Sequence, residues 1–199
     1  ANFVRAMKER NGKVYASKPD GTTIRHGKHT FKKEVPCLLQ SHDQIWAYHS
    51  ETQDALLNAA FPAETTLPEM LEAGAPLWIR DRPQLEKFTM KIAMATYRKA
   101  NDPDHCLLLY AAMKKLSMAA ALYKAQQNDK VQAFLQNDFT DKKYQIAAKK
   151  NGFALMKKGR YEMAAAMLII AGDVPAAINV LKNNYRKPLL ALLVIRLMD

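Results

Sequence analysis

From residue 140 onward the apolar positions recur at helical rather than strand spacing, and they do so in three successive blocks separated by short polar turns. Thr140 offers an N-cap oxygen, and the helix it predicts gathers Tyr144, Ala147, Ala148, Ala154 and Leu155 near one face until Gly159 interrupts it. A second helix opens at Tyr161. Its stretch from Met163 to Ala171 is apolar without a break, which leaves no face for water and predicts a helix enclosed on several sides. Gly172 suits a left-handed stop. Asp173 then caps a third helix with Pro175 in its first turn, and Val174, Ala177, Ile178 and Leu181 keep the i, i+3, i+4, i+7 spacing of an amphipathic face. Burial is expected for Tyr161, Ala165, Leu168, Ile178 and Leu181.

Upstream the same periodicity continues less regularly. Ser50 and Gln53 have capping-box spacing and predict a helix from Glu51 to about Ala60; Thr66 and Glu69 repeat the signal for a short helix ended by Gly74, followed by a loop holding Pro76 and Trp78. Asp81 and Pro83 start a longer helix along Leu85, Phe88, Ile92 and Ala95 that stops near Asn101. Further helices follow through Leu107, Tyr110, Ala111 and Lys114, from a Ser117 cap to about Gln127, and through Val131, Phe134 and Leu135. About ten helices joined by short turns are expected. The predicted fold class is all-α, an alpha-solenoid of antiparallel helical hairpins, because Ala164 to Ala166 opposite Ala176 and Ala177 let axes approach closely. The Gly159-Arg160-Tyr161 start and Ala171-Gly172-Asp173 turn are similar to those of tetratricopeptide and coat-type repeats; an ordinary helical bundle is the alternative.

Residues 1–41 break this pattern and read as an irregular basic segment, ahead of a solenoid segment over 42–199. A short helix through Phe3, Val4 and Met7 and a hairpin pairing Lys13–Ala16 with Thr22–Arg25 are the elements expected there. His26, His29, Cys37 and His42 fit no common zinc spacing, so no metal site is expected. The two cysteines, Cys37 and Cys106, form no C-x-x-C, which argues for reduced thiols. The chain starts at Ala1 and stops at Asp199 just after an apolar helix over Leu189–Ile195, so a piece of a longer protein is expected.

Charge changes the picture in one respect. Thirty Lys and Arg against nineteen Asp and Glu give a net +11, which invites an anionic partner. The lysines come as doublets, Lys114-Lys115, Lys142-Lys143, Lys149-Lys150 and Lys157-Lys158, with few arginines to fork onto phosphate. That distribution favours a solvated or protein-facing surface over a nucleic-acid site. The candidate partner-binding residues are Lys149, Lys150, Lys157 and Lys158. No phosphate loop, metalloprotease helix or hydrolase elbow is present in the sequence, so no catalytic residue and no cofactor is assigned.

Six strings occur in one order: Trp46-Ala47-Tyr48-His49-Ser50, Leu77-Trp78-Ile79-Arg80, Asp102-Pro103-Asp104, Leu109-Tyr110-Ala111-Ala112-Met113-Lys114-Lys115, Phe134-Leu135-Gln136-Asn137-Asp138-Phe139 and Ala147-Ala148-Lys149-Lys150-Asn151-Gly152-Phe153-Ala154-Leu155. Together they resemble the DmX-like, or rabconnectin, family, which includes the large subunit of the RAVE complex. The resemblance covers Ile45 to Asp199, and Gly152 departs from it where the family has alanine. It implies a helical region following amino-terminal WD40 β-propellers, in a non-enzymatic scaffold that promotes assembly of the vacuolar-type proton-pumping ATPase (V-ATPase). Implied partners are peripheral-sector subunits of that pump and other RAVE-type subunits, with a cytoplasmic location at endomembranes. Two other functions compete: a basic helical-repeat nucleic-acid binder and a coat-type vesicle-trafficking adaptor. Salt-dependent retention on RNA or DNA distinguishes the first of these.

Overall fold

Gln53 shows how the amino-terminal helices are locked together. The structure, a computed structural model, describes residues 41–199. The helix expected from Glu51 begins instead at Gln53, and Ser50 does not cap it. The reason is that the Gln53 side chain is drawn into the core. Its amide nitrogen donates to the carbonyls of Ala47 (2.9 Å) and Trp78 (2.7 Å), while its oxygen accepts from the Arg80 amide (3.1 Å). One side chain thereby joins helix α1 (Ser41–His49), helix α2 (Gln53–Ala60) and the chain after helix α4 (Ala75–Trp78).

Between α2 and α4 lies α3 (Leu67–Glu72), whose Thr66–Glu69 capping box is formed as expected, the Thr66 amide donating to Glu69 at 2.7 Å. The loop expected around Pro76 and Trp78 is the short helix α4. Trp78 is wholly buried, stacks on Phe61 at 6.1 Å and donates its indole N–H to the Ala73 carbonyl. Burial of this large ring with its polar atom satisfied explains why so short a helix holds its place.

Helix α5 (Arg82–Ala100) is capped by the Asp81 carboxylate and ends at Asn101 in the left-handed region, φ 51°. A 3-10 turn (Pro103–His105) leads into α6 (Leu107–Ala112), where all six residues are buried. Helices α7 (Leu116–Ala125) and α8 (Asp129–Leu135) pack on each other. Ser117 is not the cap of α7, which starts one residue earlier without a side-chain cap. Helix α9 (Lys142–Lys157) is capped by Asp141 rather than Thr140, because Thr140 turns back to bond Asp138 through both its amide and its hydroxyl.

Helix α10 (Tyr161–Ile170) is buried continuously from Ala164 to Ile170, as its unbroken apolar run predicts. It touches α6, α9, α11 (Val174–Asn179) and the π-turn Val180–Asn184 that extends α11. Tyr161 and Ile178 are half-buried rather than buried, while Ala165, Leu168 and Leu181 are enclosed. Helices α9 and α10 fold back on each other about Gly159, which takes φ 72°, a backbone conformation open to glycine at no steric cost. At Gly152 the two axes come so close that an added Cβ would lie 3.1 Å from the Leu168 side chain and 3.2 Å from the Ala164 carbonyl oxygen.

The last helix, α12 (Pro188–Met198), packs on α4, α5 and α6. Arg196 donates to the Pro76 and Arg80 carbonyls, and Arg82 donates to Leu197. The fold among the described residues is all-α, without strand. Packing joins some sequence neighbours, such as α7 with α8 and α9 with α10, and also distant helices, with α10 against α6 and α12 against α4, α5 and α6. The expected helix through Phe3, the hairpin over 13–25 and the side chains of the His26, His29, Cys37 and His42 set lie outside the described residues.

Candidate partner interface

Helix α9 is the edge of the stack. It packs on α10 and buries only Ala148 and Gly152 outright, so most of its circumference faces outward. The four lysines singled out by the sequence are all exposed. They are not equivalent. Lys149 is held by the Asp173 carboxylate at 2.5 Å. That ammonium, together with the Ala176 amide, keeps the Asp173 carboxyl below the usual carboxylate range. Asp173 therefore caps α11 and also ties it to α9. Among the described residues no ion pair holds Lys142, Lys150, Lys157 or Lys158. Lys158 lies past the end of α9 as its C-cap and points away from the row that the others form, at about 100° per residue.

Two exposed apolar side chains, Ile146 (55%) and Phe153 (40%), stand among these lysines. Sequence reasoning missed them because it read α9 for its inward face. Their seven-residue separation within the lysine doublets was the available signal. A second apolar group, Ile45, Trp46 and Leu77, is exposed on the packed pair α1 and α4.

Other polar groups serve the fold. Tyr123 is buried and donates to Asp104 at 2.6 Å, and Arg160 pairs with the other oxygen of the same carboxylate, joining α7, the 3-10 turn and the start of α10. Burial and the Asp104 acceptor push the Tyr123 hydroxyl pKa well up, so it stays a donor. Tyr185 donates to Glu162 (2.8 Å), and burial with that bond raises it to about 12. Cys106 is enclosed and donates to the Ala93 carbonyl; burial drives its thiol to about 12, which leaves essentially no nucleophilic thiolate at neutral pH. A groove of about 530 Å³ between α3, α5 and α10 is lined by Leu67, Thr96, Lys99, His105, Glu162 and Tyr185. No helix among the described residues is long and apolar enough to cross a membrane.

Comparison with known proteins decides the family. The family described as RAVE protein 1 C terminal matches residues 9–199. The chain belongs to this family. Relatives include DmX-like protein 1 of Homo sapiens, 35% identical over 165 residues, and the same protein of Mus musculus, 33% over 158. Regulator of V-ATPase in vacuolar membrane protein 1 of Saccharomyces cerevisiae is 30% identical over 155 residues. These matches take in 81%, 77% and 75% of this chain but only 5%, 5% and 11% of the relatives. The chain thus corresponds to a small part of much longer proteins. The DmX-like and RAVE membership expected from the six ordered strings is borne out.

Proposed function

We propose that this chain is a non-catalytic scaffold segment of a RAVE-type regulator that promotes assembly of the vacuolar-type proton-pumping ATPase. The observation that carries the reading is the family match over residues 9–199, together with yeast relatives named as regulators of V-ATPase in the vacuolar membrane. The partners proposed are peripheral-sector subunits of the pump and other RAVE-type subunits. The work takes place on the cytoplasmic side, at endomembranes.

The geometry supports a contact role. Helix α6 and the Ala164–Ile170 stretch of α10 are enclosed by their neighbours, so a partner has edges and helix outer faces to use, and α9 presents one that carries exposed lysines. Lys149, Lys150, Lys157 and Lys158 are proposed to meet an acidic subunit surface, where charges of this kind raise the encounter rate more than the final affinity. Surface plasmon resonance of this chain against purified peripheral-sector subunits tests the reading. Specific binding is expected, with a lower association rate and weaker salt dependence when all four lysines are changed to glutamate. Lack of binding by the unaltered chain rejects the function; an unchanged rate in the reversed variant rejects the lysines.

A further inference from the structure

At about 100° per residue, Lys142, Ile146, Lys149, Lys150, Phe153 and Lys157 fall within an arc of roughly 100° on the outer side of α9. All six are exposed. Ile146 and Phe153 stand two turns apart, about 10.5 Å along the axis, and the lysines flank them on both sides. An apolar row at seven-residue spacing with charged borders is the pattern by which one helix receives another. We infer that the outer face of α9 is a docking strip for an acidic amphipathic helix of a partner, which places apolar side chains against Ile146 and Phe153 and carboxylates against the flanking lysines.

The choice of occupant follows from charge and shape. The arc holds four cations and no acid; Asp173 compensates Lys149, and the charges left on Lys142, Lys150 and Lys157 make a helix bordered by glutamates or aspartates electrostatically complementary. An anionic membrane is a poorer match. Phe153 is more than half covered by the protein already, and two side chains do not make the broad apolar face that settles a helix into the headgroup boundary. Lys149 is already anchored by Asp173, so it enters the strip with its side chain ordered, and its share of the entropy cost of binding is lowered. The inference deepens the lysine-face reading and rests on α9 facing a partner, but not on that partner being a pump subunit.

The test uses the whole 199-residue chain and three probes. The first is a fluorescein-labelled helical peptide of three heptads with leucine at every seventh position, glutamates on either side of that row and alanine elsewhere. The second has the same composition with the row scrambled. The third is phosphatidylcholine vesicles containing phosphatidylserine. Fluorescence anisotropy is expected to show the ordered peptide binding about tenfold more tightly than the scrambled one. Ile146→Ser should remove that preference while circular dichroism and melting temperature stay unchanged. Phe153→Ser should do the same, and Ile146→Ser alone decides if the Phe153 variant melts early.

Equal affinity for the two peptides, no affinity for either, or vesicle sedimentation abolished by Ile146→Ser without peptide binding overturns the inference. If pump subunits bind while the ordered peptide does not, the docking strip falls and the proposed function stands. If the ordered peptide binds and no pump subunit does, the proposed function falls and the docking strip stands.

Discussion

Replacing Gln53 with methionine keeps the length and volume of the side chain but removes both its donor and its acceptor. The consequence can be worked bond by bond. The Ala47 carbonyl keeps a partner, because it also accepts from the Ser50 amide at 3.3 Å. The Trp78 carbonyl and the Arg80 amide lose the Gln53 bonds at 2.7 and 3.1 Å. Leaving a buried polar group unpaired costs about 1–3 kcal/mol, and the Arg80 amide is only partly buried, so we expect a loss of about 2–4 kcal/mol. For a chain of this size that lowers the melting temperature by roughly 5–15 °C. Urea titration followed by circular dichroism at 222 nm measures it, with the m-value as a check that the unfolded state is unchanged. A loss below about 0.5 kcal/mol, the usual scale of a surface substitution, would refute the clasp.

Leu168→Ala empties a fully buried site facing Gly152 and should cost about 2–5 kcal/mol by chemical denaturation; a cost within surface range would mean α9 and α10 do not meet there. The Lys149–Asp173 pair should leave a mark on acid stability. Because the folded Asp173 carboxyl titrates below its ordinary value of 3.8, its contribution is present above about pH 4 and is lost as pH falls through the folded value. Lys149→Met should therefore flatten the fall in stability below about pH 4, measured by urea titrations at stepped pH, and an identical acid limb would show the pair to be inert in solution. With Cys37→Ser in place, the remaining thiol of Cys106 should resist a disulfide reagent at pH 8 in the folded chain and react fully in denaturant; fast labelling of the folded chain would contradict its burial.

Helix identity and order were legible because capping and stop signals are local. Asp81, Asp173, Thr66, Gly159 and Gly172 act where their neighbours in sequence imply. The failures share a cause. Ser50 and Thr140 have cap chemistry, yet Gln53 is drawn to Trp78 twenty-five residues away and Thr140 is claimed by Asp138, competitors that a capping rule does not weigh. For α6 the spacing of Leu107, Tyr110, Ala111 and Lys114, widened by Leu108 and Met113, marks a helix with a preferred face, although the six consecutive apolar residues Leu107 to Ala112 carry the same message of enclosure as the run in α10. At the candidate interface the lysines were visible as doublets. Ile146 and Phe153 were not, since periodicity tells which residues share a face and not which face is covered.

The return of α12 has a kinetic consequence. Arg196 and Pro76 are separated by 120 residues, so the surfaces of α4 to α6 wait for their cover through most of the synthesis of this region. At about 5–20 residues per second, the interval is roughly 6–24 s on the ribosome. A linear array of repeats can consolidate each unit as it emerges, whereas this stack keeps an apolar seam open until its final helix arrives. A ribosome stalled before residue 188 would hold α4 to α6 without the part of their cover that α12 supplies.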